Sequence, residues 1–231
     1  MMNRLAAGGL VVGALALGLA LAQDSAPETG AAQSGATFRL GSSYVVDGRN
    51  VPATIVGVDR RCGLGRNVSP QLSWVGVPEG TKSLALTVFD PDARQGQGFW
   101  HWLVYNIPAD ATGLDAGAGG GAVPVNAVGT VATSTDGSSL APPADTTATL
   151  PEGAVNGANG AGKTGYIGPC PPAGDAAHHY VFTLYALDVE SLNLPEGATG
   201  AAVPAAAEGH TLGTATLTGL YAVPKPEGSG Q

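Results

Sequence analysis

The segment SLALTVFDPDARQGQGFWHWLVYNIP, residues 83–108, decides the fold class. Ser83 to Phe89 mixes branched, aromatic and small apolar side chains with no apolar i, i+3, i+4, i+7 stripe, and Asp90-Pro91-Asp92 stops it. That pattern predicts a buried strand ending in a turn. Trp102 to Ile107 is a second such run, closed by Pro108. The intervening Ala93-Arg94-Gln95-Gly96-Gln97-Gly98 reads as a short loop, so the two strands are expected to be neighbours.

Working outward, Tyr180 to Leu187 predicts a third strand with aromatic alternation, and Gly213 to Tyr221 a fourth. Ala201 to His210 is the best helix candidate, although Pro204 interrupts its pattern. Many strands and few helices point to a mainly β protein, a sandwich or partly open barrel with short helices packed outside. Residues 115–149 stand apart. They hold Gly-Ala-Gly-Gly-Gly, then a Ser/Thr/Pro/Ala-rich stretch without an aromatic, and read as a mobile insertion, with an extra hairpin through 127–132 as the alternative.

The start of the chain points to export. Arg4 precedes an apolar run from Leu5 to Leu21, and Ala20-Leu21-Ala22 ends it, so residues 1–22 read as a signal peptide. Residues 23–36 read as a flexible linker, 37–223 as one domain and 224–231 as a flexible tail. The expected location is periplasmic or extracellular, with no stable membrane insertion after cleavage. A net charge of −8 disfavours a nucleic-acid surface, so any anion must be held by a local pocket against the overall field. The two cysteines, Cys62 and Cys170, form an even count that in an oxidising compartment predicts one disulfide. Two separate buried thiols are the competing reading.

Four polar side chains fall at strand ends: Asp90 and Asp92 after the first strand, His101 just before the second and His178 just before the third. Strand ends and their loops are where sites are usually built. Two carboxylates flanking a rigid proline would hold a neighbouring imidazole protonated, and an imidazolium donates to an anion. The Gly168-Pro169-Cys170-Pro171-Pro172 loop would add backbone donors, limited by its prolines. Taken singly, Asp-Pro-Asp is a common turn, Trp-His-Trp often holds a satisfied core histidine, and His179 reads as solvated.

Several ordered motifs carry a resemblance. Asn67 to Trp74 (NVSPQLSW), Ala85 to Ala93 (ALTVFDPDA), Phe99 to Pro108 (FWHWLVYNIP), Leu150 to Ala154 (LPEGA), Gly162 to Pro172 (GKTGYIGPCPP) and His178 to Leu187 (HHYVFTLYAL) resemble the phosphatidylethanolamine-binding protein family. The chain is most similar in these blocks to its bacterial, Raf kinase inhibitor-like branch. The resemblance implies an antiparallel β-sandwich with a few short peripheral helices and one pocket for small anions. It puts the ligand-binding set on Asp90, Asp92, His101, Gly168, Pro169, Cys170, His178 and Tyr180. No cofactor and no metal are implied. Where relatives carry Asn-Asp-Phe-Gly-Lys, this chain has Asn159-Gly160-Ala161-Gly162-Lys163, losing an acid and an aromatic that would fix that loop.

The leading expectation is therefore an exported binding protein for phosphate, phosphoethanolamine or a carboxylate, with modulation of a partner protein and a homodimer as further expectations. The alternative is a hydrolase or isomerase using the same Asp/His pocket for acid–base work. No serine or cysteine nucleophile sits in a recognisable elbow to support it.

Overall fold

The computed structural model describes residues 37–120 and 148–225. The expected signal peptide, linker, most of the tail and the 127–132 hairpin alternative lie outside the described residues.

Two sheets form the frame. A three-stranded antiparallel sheet has the order β1 (Arg39–Gly41), β3 (Leu72–Val75), β6 (Gly113–Leu114). A six-stranded sheet runs β2 (Arg49–Asn50), β9 (Thr211–Tyr221), β8 (His178–Leu187), β4 (Ser83–Asp90), β5 (Phe99–Pro108), β7 (Val155–Asn156). Every pairing is antiparallel except β2 with β9, which is parallel. The four strands read from the sequence are the four long strands at the centre of this sheet, and β4 and β5 are neighbours as expected.

The core follows from the two-residue period of strands. Leu84, Leu86 and Val88 of β4, Trp102 and Val104 of β5, and Phe182 and Leu184 of β8 meet Leu40, Leu72 and Trp74 of the small sheet, giving a sandwich interior. The opposite face of the large sheet, through Ala85, Leu103, Tyr105 and Leu187, packs on Val203 and Ala207 of α2 (Ala202–Ala207). Buried on both faces, β4 reads as a continuous apolar run rather than an alternating one. Pro204 is accommodated in α2 because it lies in the first helical turn, where its missing N–H would have had no intrahelical partner.

Two expectations need correction, and β5 adds an irregularity of its own. His101 and His178 do not precede their strands: the ladders reach Asp90↔Phe99 and His178↔Tyr221, which takes both histidines into β5 and β8. Strand β5 carries two residues too many opposite β4, one between the Leu84–Ile107 and Leu86–Val104 pairs, and one at the bulge where Val88 pairs with Trp102 while Phe89 pairs with Trp100. His101 is the unpaired residue of that bulge. Finally, residues 115–120 belong to the packed domain rather than to an insertion: Ala118 is buried, and the Gly119 N–H donates to Ser69 Oγ at 2.9 Å.

Candidate functional site

Regular alternation along β5 would send His101 to the α2 face with Leu103. The bulge reverses this, as bulges beside sites commonly do. Trp100 goes to the α2 side, while the His101 ring packs edge-on against Tyr180 at 5.1 Å, on the sandwich side. Asp90, His178 and Tyr180 reach the same side by simple alternation, so four polar side chains meet at one end of the large sheet.

Asp90 is buried and fully engaged. Its Oδ1 accepts the Asp92 and Ala93 N–H groups at 2.9 and 3.1 Å, and its Oδ2 accepts from His178 Nδ1 at 2.8 Å. His101 Nε2 stands 4.0 Å from the same Oδ2. The other nitrogen of His101, Nδ1, lies 2.7 Å from the Ile167 carbonyl. A carbonyl only accepts, so Nδ1 carries the hydrogen, and a neutral His101 presents a lone pair at Nε2. Burial pushes the His101 pKa down to about 4, outweighing the Ile167 carbonyl and the Asp90 carboxylate that oppose it. Burial and the Ile167 contact therefore favour the neutral ring for His101 at pH 7. His178 likewise spends Nδ1 on Asp90, and its Nε2 lies 3.8 Å from Asp175 Oδ2.

A lip of chain, residues 167–172, closes over these rings and is strapped to the 55–67 segment. The Gly168 N–H donates to Asn67 Oδ1 at 2.7 Å, the Gly57 N–H to the Pro169 carbonyl at 3.0 Å, and the neighbouring Tyr166 hydroxyl to the Ile55 carbonyl at 2.7 Å. Cys62 and Cys170 are disulfide-bonded with Cα atoms 4.4 Å apart. The approach is so close that a Cβ on Gly168 would stand 2.3 Å from the Ile55 carbonyl oxygen. Gly168 and Cys170 hold the only N–H groups between 168 and 172, and Asn67 takes the first. Backbone donation from the lip thus reduces to Cys170.

Between sheet end and lip lies a cavity of about 260 Å³, walled by Asp90, His101, His178, Gly168 and Cys170 among others. Three of the expected residues, Asp92, Pro169 and Tyr180, are not among its walls. Asp92 turns outward, where its Oδ2 accepts the His179 N–H and ring Nδ1 at 2.7 and 2.9 Å, and those bonds lower its pKa. Pro169 contributes its carbonyl to Gly57 and no wall. Tyr180 is buried beside His101, and its hydroxyl makes no hydrogen bond among the described residues. Larger grooves of about 590 and 640 Å³ elsewhere have no histidine in their walls.

Sequence reasoning missed Arg94 and Phe99, which line the cavity, Asn67, which positions the lip, and Asp175 at the rim. Asn67 holds a left-handed backbone, φ 52°, a conformation asparagine tolerates well. The loop expected to lose support is fixed by Asn159 itself: Oδ1 accepts the Ala161 and Lys163 N–H groups, and Nδ2 donates to the Gly165 carbonyl at 3.0 Å.

Comparison with known proteins agrees with this frame. The family model described as phosphatidylethanolamine-binding protein matches residues 41–222. The UPF0098 protein YbcL of Escherichia coli is 38% identical over 188 residues, covering 81% of this chain and 89% of the relative. A Mycobacterium tuberculosis protein named as a candidate lipoprotein, LppC, is 37% identical over 182 residues, 79% of this chain and 71% of its own length. The crystal structure of E. coli YbcL, described as a new member of the mammalian PEBP family, superposes with a TM-score of 0.64, covering 80% of this chain and 98% of that one at 38% identity. A Chlamydia trachomatis homologue, CT736, gives 0.58 at 33% identity, over 80% and 96% of the two chains.

Proposed function

The chain belongs to the phosphatidylethanolamine-binding protein family, and from that premise we propose that it is an exported binding protein taking one small phosphate-like anion in the cavity under the 167–172 lip. The observation that carries this reading is the convergence of His101 Nε2, His178 and the His178-bound Asp90 on one 260 Å³ cavity. Export is supported by the signal-like start, by the Cys62–Cys170 bond and by a relative named as a lipoprotein.

The chemistry proceeds from the two rings. His178, steadied by Asp90 at Nδ1, donates from Nε2 to a ligand oxygen when the ring is cationic. His101 offers a lone pair and so accepts; the P–OH of a singly protonated phosphate supplies the matching donor. One proton therefore enters with the anion, whether it rests on the phosphate or on His101. Above a monoester's second pKa of about 6, loss of this proton alone is expected to lower affinity about tenfold per pH unit. Among the described wall residues the cavity offers no free thiol or hydroxyl, because Cys170 is bonded to Cys62. That argues for binding over group transfer.

Isothermal titration of the purified protein with phosphate and phosphoethanolamine at pH 6 and pH 8, beside His178→Ala, tests the reading. Binding that weakens at pH 8 and disappears in the variant supports it. Undiminished binding by the variant, or none by the parent at either pH, overturns it.

A further inference from the structure

We infer that Arg94 is the specificity-determining residue of this pocket and makes it select a phosphate monoester, with three terminal oxygens, over a phosphodiester or a carboxylate with two. The inference rests on the anion-pocket reading above and deepens it.

The electrostatics of the cavity call for such a group. Asp90 is in the wall and Asp175 lies 3.8 Å from His178 Nε2, so two carboxylates face any incoming anion. His101 brings no positive charge at pH 7, for the reasons of burial and tautomer already given. Among the described wall residues Arg94 is the single permanent cation. Its guanidinium carries five donors in a planar fork, matched to two oxygens of a phosphate.

The local backbone presents it deliberately. Arg94 and Gln95 are consecutive non-glycine residues in the left-handed region, at φ 51° and 58°, inside the short turn α1 (Ala93–Gly96). Such backbone is unfavourable for a residue with a Cβ and persists where surrounding structure enforces it, often at ligand clamps. Here the enforcing contacts begin at the site itself, since the Ala93 N–H is held by Asp90 Oδ1 at 3.1 Å. The carboxylate that orients His178 thus also sets the turn that carries Arg94.

The side chain is held loosely and close by. The guanidinium sits 4.9 Å from the centre of the Phe99 ring, itself a cavity wall packed 4.9 Å from His101, and donates to the Gly160 carbonyl at 3.3 Å. Arg94 is otherwise exposed. Neither contact is strong, so an anion can draw the fork inward without breaking a buried bond. Three anchors then face the ligand: His178 Nε2, the His101 lone pair and the Arg94 fork. A terminal phosphate fills all three, one oxygen carrying the proton for His101. A phosphodiester, as in an intact phospholipid, or a carboxylate leaves one anchor unfilled.

The test is isothermal titration at pH 7 and low salt with phosphoethanolamine, glycerophosphoethanolamine and acetate, for the parent protein, Arg94→Gln and Arg94→Lys. The parent is expected to prefer the monoester about tenfold or more over the other two. In R94Q the monoester should weaken about tenfold and the diester and acetate distinctly less, with R94K intermediate because it keeps charge but not the fork. Equal weakening of all three ligands, or of none, overturns the assignment to Arg94 while leaving the pocket reading intact. Failure of the parent to bind any of the three overturns the pocket reading, and this inference with it. A preference for the diester identifies an intact lipid headgroup as the ligand and contradicts the monoester assignment.

Discussion

Removing the Cys62–Cys170 bond separates what holds the domain together from what holds the lip in place. The bond closes a sequence separation of 108 residues. In the chain-entropy view, a loop of that length restricts the unfolded chain enough to be worth about 5 kcal/mol. For a domain of this size each kcal/mol moves the melting temperature by about 2–4 °C, so loss of the bond is worth about 10–20 °C at most. The paired substitution Cys62→Ala with Cys170→Ala is the clean perturbation, since Cys62 is buried and a lone thiol would remain reactive. The lip keeps its Gly168 to Asn67 and Gly57 to Pro169 hydrogen bonds, so residues up to 169 should stay seated while 170–172 loosen. Thermal unfolding by circular dichroism, with and without a phosphine reductant, should show the parent losing the predicted stability on reduction and the variant insensitive to it. Phosphate binding by the variant should weaken but survive. A drop of under about 3 °C would refute the loop-closure argument, and complete loss of binding with an intact fold would refute the view that hydrogen bonds hold the lip.

The remaining predictions concern the rings and the lip. Because His101 is buried and neutral in the folded state, with a pKa near 4, the unfolded chain binds more protons than the folded one between that value and about 6.5. Stability attributable to His101 should therefore fall as pH drops through that window, by up to about 3 kcal/mol, and denaturant titrations at pH 7 and 4.5 should show a shallower slope for His101→Gln. Gly168→Ala puts a Cβ 2.3 Å from the Ile55 carbonyl oxygen, so the lip must shift; expect about 1–3 kcal/mol lost in urea unfolding and phosphate binding abolished. Asp90→Asn leaves the turn acceptor but removes the carboxylate that orients His178 Nδ1, and should weaken phosphate binding at pH 7 in calorimetry.

How far the sequence reached is best judged residue by residue. The four long strands were legible because a strand buried on both faces, like β4, needs an unbroken apolar run that few other elements use. Asp90, His101 and His178 were legible as candidates by their places at strand ends and by family resemblance. What could not be read was the bulge at His101: nothing in Trp-His-Trp marks which of three consecutive residues goes unpaired, and without the bulge strict alternation sends the imidazole to the wrong face. Asp92 looked equivalent to Asp90 in Asp-Pro-Asp, yet the proline turn between them sends one carboxylate inward to His178 and the other outward to His179. The neutrality of His101 also lies beyond sequence, because it comes from burial beneath a lip that is distant along the chain. Asn67 and Arg94 escaped notice because their roles follow from left-handed backbone, which composition does not announce.

The most direct measurement is a ¹⁵N spectrum of the histidine side chains, recorded on the parent protein at pH 7 while phosphate is added. Before addition His101 should show a protonated Nδ1 and a bare Nε2, as its Ile167 contact demands. On binding, the account predicts that the Nε2 resonances of both His101 and His178 move toward the hydrogen-bonded or protonated range and saturate together, while exposed His179 and His210 stay put. Saturable phosphate binding that leaves both of these Nε2 resonances unmoved would place the anion elsewhere and contradict the account.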